Sequence, residues 1–81
     1  MSIKVETFRS GLGVDCMKLT GFSERELSEL NSMDYREMKS TIIAVLDNRN
    51  NGLGTQWAEK RSLYNAWIRE GAVFVEIGKE H

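Results

Sequence analysis

The stretch IKVETFRSGLGVDCMKL, residues 3–19, decides the predicted fold because it has the pattern of a β-hairpin. Apolar and polar residues alternate in IKVETF, which places Ile3 and Phe8 on opposite sides of a first strand. The segment RSGLG supplies the small residues of a turn. VDCMKL then returns as a second strand, with Cys16 and Met17 on opposite sides. The sequence therefore predicts two paired strands in this segment.

Two helix starts follow the hairpin, and each has the residues of a capping box. In FSEREL, Ser23 can accept a hydrogen bond from the backbone amide of Glu26 while the Glu26 side chain reaches back. MDYREM repeats this arrangement with Asp34 and Glu37. Two successive helix starts predict two helices with a break between them, rather than one long helix.

A third helix and a final strand are predicted from the C-terminal part of the sequence. Trp57, Tyr64 and Trp67 share one side of a helix that begins after Thr55, and Gly71 is well placed to end it. AVFVEI then alternates in the manner of a strand.

These elements together predict a small α+β domain. They are a hairpin at 3–19, helices at about 24–31, 35–47 and 56–70, and a strand at 72–77. We expect a single domain over residues 1–81 with the order β-β-α-α-α-β. In this two-layer fold the helices pack on one face of a three-stranded antiparallel or mixed sheet.

Composition and charge limit the classes of function. The chain has 81 residues, of which 41% are hydrophobic and 28% charged, as is typical of a globular domain. The net charge is −1, so no overall positive field attracts nucleic acid or an anionic membrane. No apolar run approaches the length of about 18 residues that a membrane-spanning helix needs, and the N-terminal stretch is not a signal peptide.

The reactive residue types are few. Cys16 is the single cysteine, which excludes an internal disulfide and a multi-cysteine metal site and fits a reduced, cytoplasmic setting. We interpret it as a small buried apolar residue. The single histidine, His81, is the last residue, which argues against a nucleophile activated by histidine. We therefore expect no enzyme activity, no cofactor and no metal.

A glycine-rich loop is the one candidate for an anion site. The residues concerned are Gly52, Gly54, Thr55, Lys60 and Arg61. Backbone amides at a helix start can bind a phosphate, and glycine allows a close approach. However, the dinucleotide and P-loop motifs need a third glycine, or a lysine followed directly by Ser or Thr. Neither motif is complete, so we favour a simple helix connection and keep the phosphate site as the alternative.

The two faces of the predicted sheet differ in character. We expect the helices to cover the face with Ile3, Val5, Val14, Cys16, Val73, Val75 and Ile77. The reverse face then carries Phe8, Met17, Leu19 and Phe74 among Lys4, Glu6, Asp15 and Glu76. An apolar centre with charged neighbours is typical of a protein-binding surface, and the two sheet edges could also pair with another chain. The alternative is that Phe8 and Leu19 turn into the main core and leave only Met17 and Phe74 exposed.

We therefore expect a small cytoplasmic protein-binding module that forms a homodimer through its sheet. Adaptors, regulators and inhibitors of phages and mobile elements often have this character. A nucleic-acid-binding regulator is the alternative, because three helices could contain a helix-turn-helix whose last helix carries Lys60, Arg61 and Arg69. A small enzyme or phosphate binder that uses the loop from Gly52 to Thr55 is the third possibility.

Overall fold

The computed structural model describes residues 2–78, which form an α+β fold with three helices and four strands. The elements are β1 (Lys4–Arg9), β2 (Asp15–Thr20), α1 (Glu24–Asn31), α2 (Tyr35–Arg49), α3 (Leu53–Lys60), β3 (Leu63–Arg69) and β4 (Ala72–Ile77). The strands form one antiparallel sheet in the order β1-β2-β4-β3. No helix in residues 2–78 has both the length and the apolarity that crossing a membrane requires.

The third helix is shorter than predicted, and a fourth strand follows it. The helix ends at Lys60, because the next residue, Arg61, has extended backbone angles. The segment predicted as the second half of a helix over 56–70 is the strand β3, so the prediction of three strands was wrong. Glu70 and Gly71 both have positive φ and connect β3 to β4 by a two-residue turn. The aromatic and branched residues of LYNAWIR are also favoured in strands, and pairing with β4 decides the outcome.

The helices α1 and α2 begin at the predicted caps. The Ser23 side chain accepts from the Glu26 amide at 3.1 Å, and the Glu26 carboxylate accepts from the Ser23 amide at 2.9 Å. Asp34 accepts from the amide of Glu37 at 2.9 Å. Glu26 is also paired with Arg49 at the end of α2, which ties the two helices together.

The core lies between the helices and one face of the sheet. Its buried members are Ile3, Met17, Leu19, Phe22, Leu30, Met38, Ile42, Leu46, Leu63, Val73, Val75 and Ile77. Leu19 and Ile42 are typical of this set, since at most 1% of either residue is exposed. Full burial of one such side chain contributes about 1.5–3 kcal/mol, so this layer supplies most of the stability.

The register of the hairpin corrects the predicted assignment of side chains to the two faces. Directly opposite residues of an antiparallel pair lie on the same face, and here Val5 pairs with Leu19 and Phe8 with Cys16. Met17 and Leu19 therefore face the helices, where they are 2% and 0% exposed, and Cys16 lies on the other face. The prediction had placed Val5 and Cys16 on the same face of the sheet, the face covered by the helices. The loop at 10–14 sets a register in which every side chain of β2 faces the other way.

Candidate functional site

The face of the sheet that points away from the helices is the candidate site, and we call it the open face. The register places on it Lys4, Glu6 and Phe8 of β1, Cys16 and Lys18 of β2, Phe74 and Glu76 of β4, and Asn65, Trp67 and Arg69 of β3. Within residues 2–78, the helices cover only the opposite face.

Three aromatic rings form the centre of the open face, and we call them the aromatic cluster. Trp67 and Phe74 are directly opposite each other on β3 and β4, with ring centroids 5.6 Å apart and planes inclined by 9°. Phe8 reaches across β2 and meets Phe74 edge to face, with centroids 6.2 Å apart. Phe8 remains 41% exposed, while Trp67 and Phe74 are half-buried. The cluster is therefore held by its own packing and still offers apolar surface.

Cys16 lies under this cluster and is only 2% exposed. It is directly opposite Phe8 on one side and Glu76 on the other, and its thiol donates to the carbonyl oxygen of Val14 at 3.6 Å. Burial raises the pKa of the Cys16 thiol, and the carboxylates of Glu76 and Asp15 raise it further. A thiol that stays protonated is a weak nucleophile, so Cys16 acts as a packing residue.

The charged residues of the open face have both signs. Lys4 and Glu6 form an ion pair at 3.2 Å, and both side chains are at least half exposed. Lys18 lies between Glu6 on β1 and Phe74 on β4. The open face has three basic and two acidic side chains in total, so it is not a strongly basic surface. Asp15, which we predicted on this face, instead faces the helix side.

The glycine loop is a close junction between α2 and α3. Gly52 is the N-cap of α3 with φ 81°, in the left-handed region that favours glycine. Gly54 is buried, and a Cβ atom there would overlap the carbonyl oxygen of Ile43 and lie 2.8 Å from its Cα. Helix packing therefore accounts for glycine at position 54, without any ligand.

A carboxylate of the chain itself occupies the start of α3. The Thr55 amide donates to Asp47 Oδ1 at 2.7 Å, and the Thr55 hydroxyl donates to Asp47 Oδ2 at 2.5 Å. These hydrogen bonds lower the pKa of Asp47, and the bond from the Thr55 hydroxyl has the larger effect. Asp47 therefore takes the position that the alternative hypothesis assigned to a phosphate.

The basic residues of the predicted anion site do not converge on this loop. Lys60 is exposed at the opposite end of α3. Arg61 donates to the carbonyl oxygen of Gly78 at 2.6 Å and to Asp15 at 2.9 Å. Arg69 belongs to β3, so the three basic residues of the predicted recognition helix are not on one helix.

Five residues of the open face were not predicted there: Cys16 and Lys18 of β2 and Asn65, Trp67 and Arg69 of β3. The most important of these is Trp67, because it belongs to the aromatic cluster. It was assigned to the third helix, where it fitted the apolar side with Trp57 and Tyr64. The turn residues Glu70 and Gly71 between two alternating segments were the available indication of a hairpin.

No group of three or more potential metal ligands occurs in the part of the chain that the structure describes. Comparisons of the chain with protein families, with curated proteins and with solved structures found no match.

Proposed function

We propose that this protein is a small, non-enzymatic protein-binding module that binds its partner through the open face. Its setting in this proposal is the cytoplasm, and its role is that of an adaptor, regulator or inhibitor of the kind that phages and mobile elements encode. A homodimer is part of the proposal, because a second copy of the chain is the simplest partner. The aromatic cluster carries the proposal, since it offers apolar surface on a sheet face that the helices do not cover.

The composition of the open face is that of a protein-binding surface. Aromatic residues at the centre and charged residues around them are the usual arrangement at protein interfaces. Central aromatic residues also contribute most of the binding energy in such interfaces. Here Phe74 is central and is already held in place by Trp67 and Phe8, so little side-chain freedom is lost on binding.

Binding to single-stranded nucleic acid is less well supported by the same residues. That function uses ring faces on which bases stack and a groove of positive charge along the phosphates. The ring of Phe74 is engaged by Trp67 and Phe8, and Glu6 and Glu76 offset most of the positive charge. A protein partner therefore fits the open face better.

Substitution of Phe74 by Glu tests the proposal. A carboxylate at the centre of the open face removes apolar contact and would be buried without a partner in the complex, at a cost of about 2 kcal/mol or more, or roughly 30-fold in affinity. The control is Ala44→Glu, which adds the same charge on the exposed side of α2.

The measurement compares the parent and both variants for oligomeric state and for a protein retained from extracts of the source cells. We expect Phe74→Glu to lose the association and Ala44→Glu to retain it, with circular dichroism confirming that both remain folded. Equal association by all three proteins would contradict the proposal.

A further inference from the structure

The charges on the open face are arranged unevenly along the strands. Lys4 and Arg69 lie toward one end of the sheet, on the outer strands β1 and β3. Glu76 lies toward the other end, directly opposite Cys16 and Asn65. The row between them contains Phe74, directly opposite both Lys18 and Trp67. Glu6 is opposite Lys18 in the same row, so the open face has a basic end, a middle row with two aromatic rings and one charge of each sign, and an acidic end that also carries Phe8.

We propose that the partner at the open face is a second copy of this chain, packed face to face about a two-fold axis. The axis crosses the strands at the level of Phe74, so the basic end of each copy lies over the acidic end of the other. This inference rests on the proposed function and specifies its partner. A two-fold interface uses the same surface on both copies, so that surface must be complementary to itself, as this one is.

Arg69 and Glu76 are the residues that this arrangement brings together across the interface. They lie on neighbouring strands and toward opposite ends of the sheet, so the rotation places Arg69 of one copy near Glu76 of the other. Packed sheets are about 10 Å apart and neighbouring strands about 4.8 Å apart. These distances are within the combined reach of an arginine and a glutamate side chain.

The other simple two-fold axis is disfavoured by the same charges. An axis parallel to the strands and along β4 would place Glu76 opposite Glu76 of the second copy. Like charges that face each other across an interface weaken it and select against that arrangement. Both axes place Phe74 against Phe74 of the second copy. The axis across the strands also sets Lys18 and Glu6 each opposite its own copy, but each then lies beside the opposite charge of the second copy on the neighbouring strand, whereas Glu76 on the other axis has no basic residue in its row.

The size of the open face indicates a weak dimer. Four strands of six or seven residues cover roughly 400 Å² in projection, from the usual strand spacing and rise. A stable interface buries about 800 Å² on each partner. The accessible area of this face exceeds its projection because side chains protrude from it, but the buried area would still be at the low end of the range for stable interfaces. We therefore expect a reversible dimer with a dissociation constant on the order of micromolar.

Sedimentation equilibrium of the full chain over about 1 µM to 1 mM tests this inference, because it spans the affinity expected of a small interface. We expect the parent to change from monomer to dimer in this range. Arg69→Glu and Glu76→Arg should each weaken the dimer by about tenfold or more, because each places like charges together twice. Arg36→Glu makes the same charge change on the exposed side of α2 and should have no effect.

Mixing the two variants gives the most specific readout. In a dimer of Arg69→Glu with Glu76→Arg, both contacts are again between opposite charges. The mixture should therefore associate about tenfold more tightly than either variant alone. A mixture that associates no better than its components would overturn the arrangement.

One outcome separates this inference from the proposed function, and two others overturn both. A parent that stays monomeric to about 1 mM, but retains another protein in a manner that depends on Phe74, overturns the second-copy partner and leaves the proposed function standing. A dimer that Phe74→Glu does not weaken overturns both. Binding of a single-stranded homopolymeric oligonucleotide that is lost in Phe74→Glu would also overturn both, because the open face would then bind nucleic acid.

Discussion

Asp47, in the last turns of α2, accepts hydrogen bonds from both the backbone amide and the hydroxyl of Thr55, in the first turn of α3. The N-cap of α3 is Gly52, which has no side chain that could cap the helix. The free amides at a helix start need an acceptor, and a carboxylate also interacts favourably with the helix dipole. One side chain of α2 therefore caps the next helix and ties the end of α2 to the start of α3.

We expect Asp47→Ala to lower the melting temperature, because the amide and the hydroxyl of Thr55 lose their acceptor. Thr55→Val removes only the hydroxyl and keeps the volume, so its effect should be smaller and in the same direction. Thermal unfolding followed by circular dichroism measures both changes. A larger loss in Thr55→Val than in Asp47→Ala would show that the carboxylate is not the main acceptor.

The stability that Asp47 contributes should depend on pH. Its pKa is lowered in the folded protein, so its contribution is fully present above the unfolded pKa of about 3.9 and is lost as pH falls through the folded value. We expect the difference in melting temperature between the parent and Asp47→Ala to be constant near neutral pH and to shrink in acid. A difference that stays constant down to about pH 2 would contradict this assignment.

Gly54→Ala should destabilise the protein by about 1–3 kcal/mol, the usual cost of overpacking. The added Cβ would meet the backbone of Ile43, which cannot move without moving α2. The control is Gly11→Ala in the hairpin loop, where no atom lies within 4 Å of the added Cβ. The control should leave stability unchanged or raise it by up to about 1 kcal/mol. Urea unfolding measures both, and equal values would show that α2 and α3 are not in close contact at this point.

Local features of the sequence were sufficient to predict α1 and α2. A capping box is complete within four residues, so Ser23 and Glu26 could be identified without knowledge of the rest of the chain. The second helix start, with Asp34 as its cap, depends on equally local contacts. The alternation of AVFVEI was likewise enough to predict β4, because both periodicity and residue preference favour a strand there.

Features that depend on distant pairing could not be predicted in the same way. Leu63, Tyr64, Trp67 and Ile68 have spacings that fit one side of a helix, and only their pairing with β4 makes them a strand. The hairpin register depends on the conformation of a five-residue loop, and a shift of one residue exchanges the two faces. The register is why Met17 and Leu19 were assigned to the open face in error, and the predicted helix over 56–70 is why Trp67 was not assigned to it.

Leu19→Ala should unfold the protein more easily, because Leu19 is a fully buried core residue. Removing a buried leucine side chain costs about 2–5 kcal/mol, depending on how far the cavity collapses. Leu12→Ala is the matched control, since Leu12 is 93% exposed at the hairpin loop and should change stability by less than about 0.5 kcal/mol. Urea unfolding at low protein concentration gives both values. A small loss for Leu19→Ala, together with weakened self-association, would instead place Leu19 on a partner surface.

Phe8→Ala should make the Cys16 thiol reactive in the folded protein. Phe8 is directly opposite Cys16 and leans across β2 toward Phe74, so its removal uncovers the thiol. The raised pKa of Cys16 also means that the parent should react slowly at neutral pH and more quickly only above the usual thiol range of about 8.5. We expect Phe8→Ala to increase the rate of reaction with a disulfide reagent at neutral pH by about tenfold or more, because the reagent can then reach the thiol without a large unfolding of the protein.

Leu19→Ala is the control for simple destabilisation, because it weakens the core without uncovering the open face. The two variants are compared at urea concentrations that give them the same free energy of unfolding. If Leu19→Ala then reacts as fast as Phe8→Ala, the reagent reaches Cys16 through unfolding, and Phe8 does not cover the thiol.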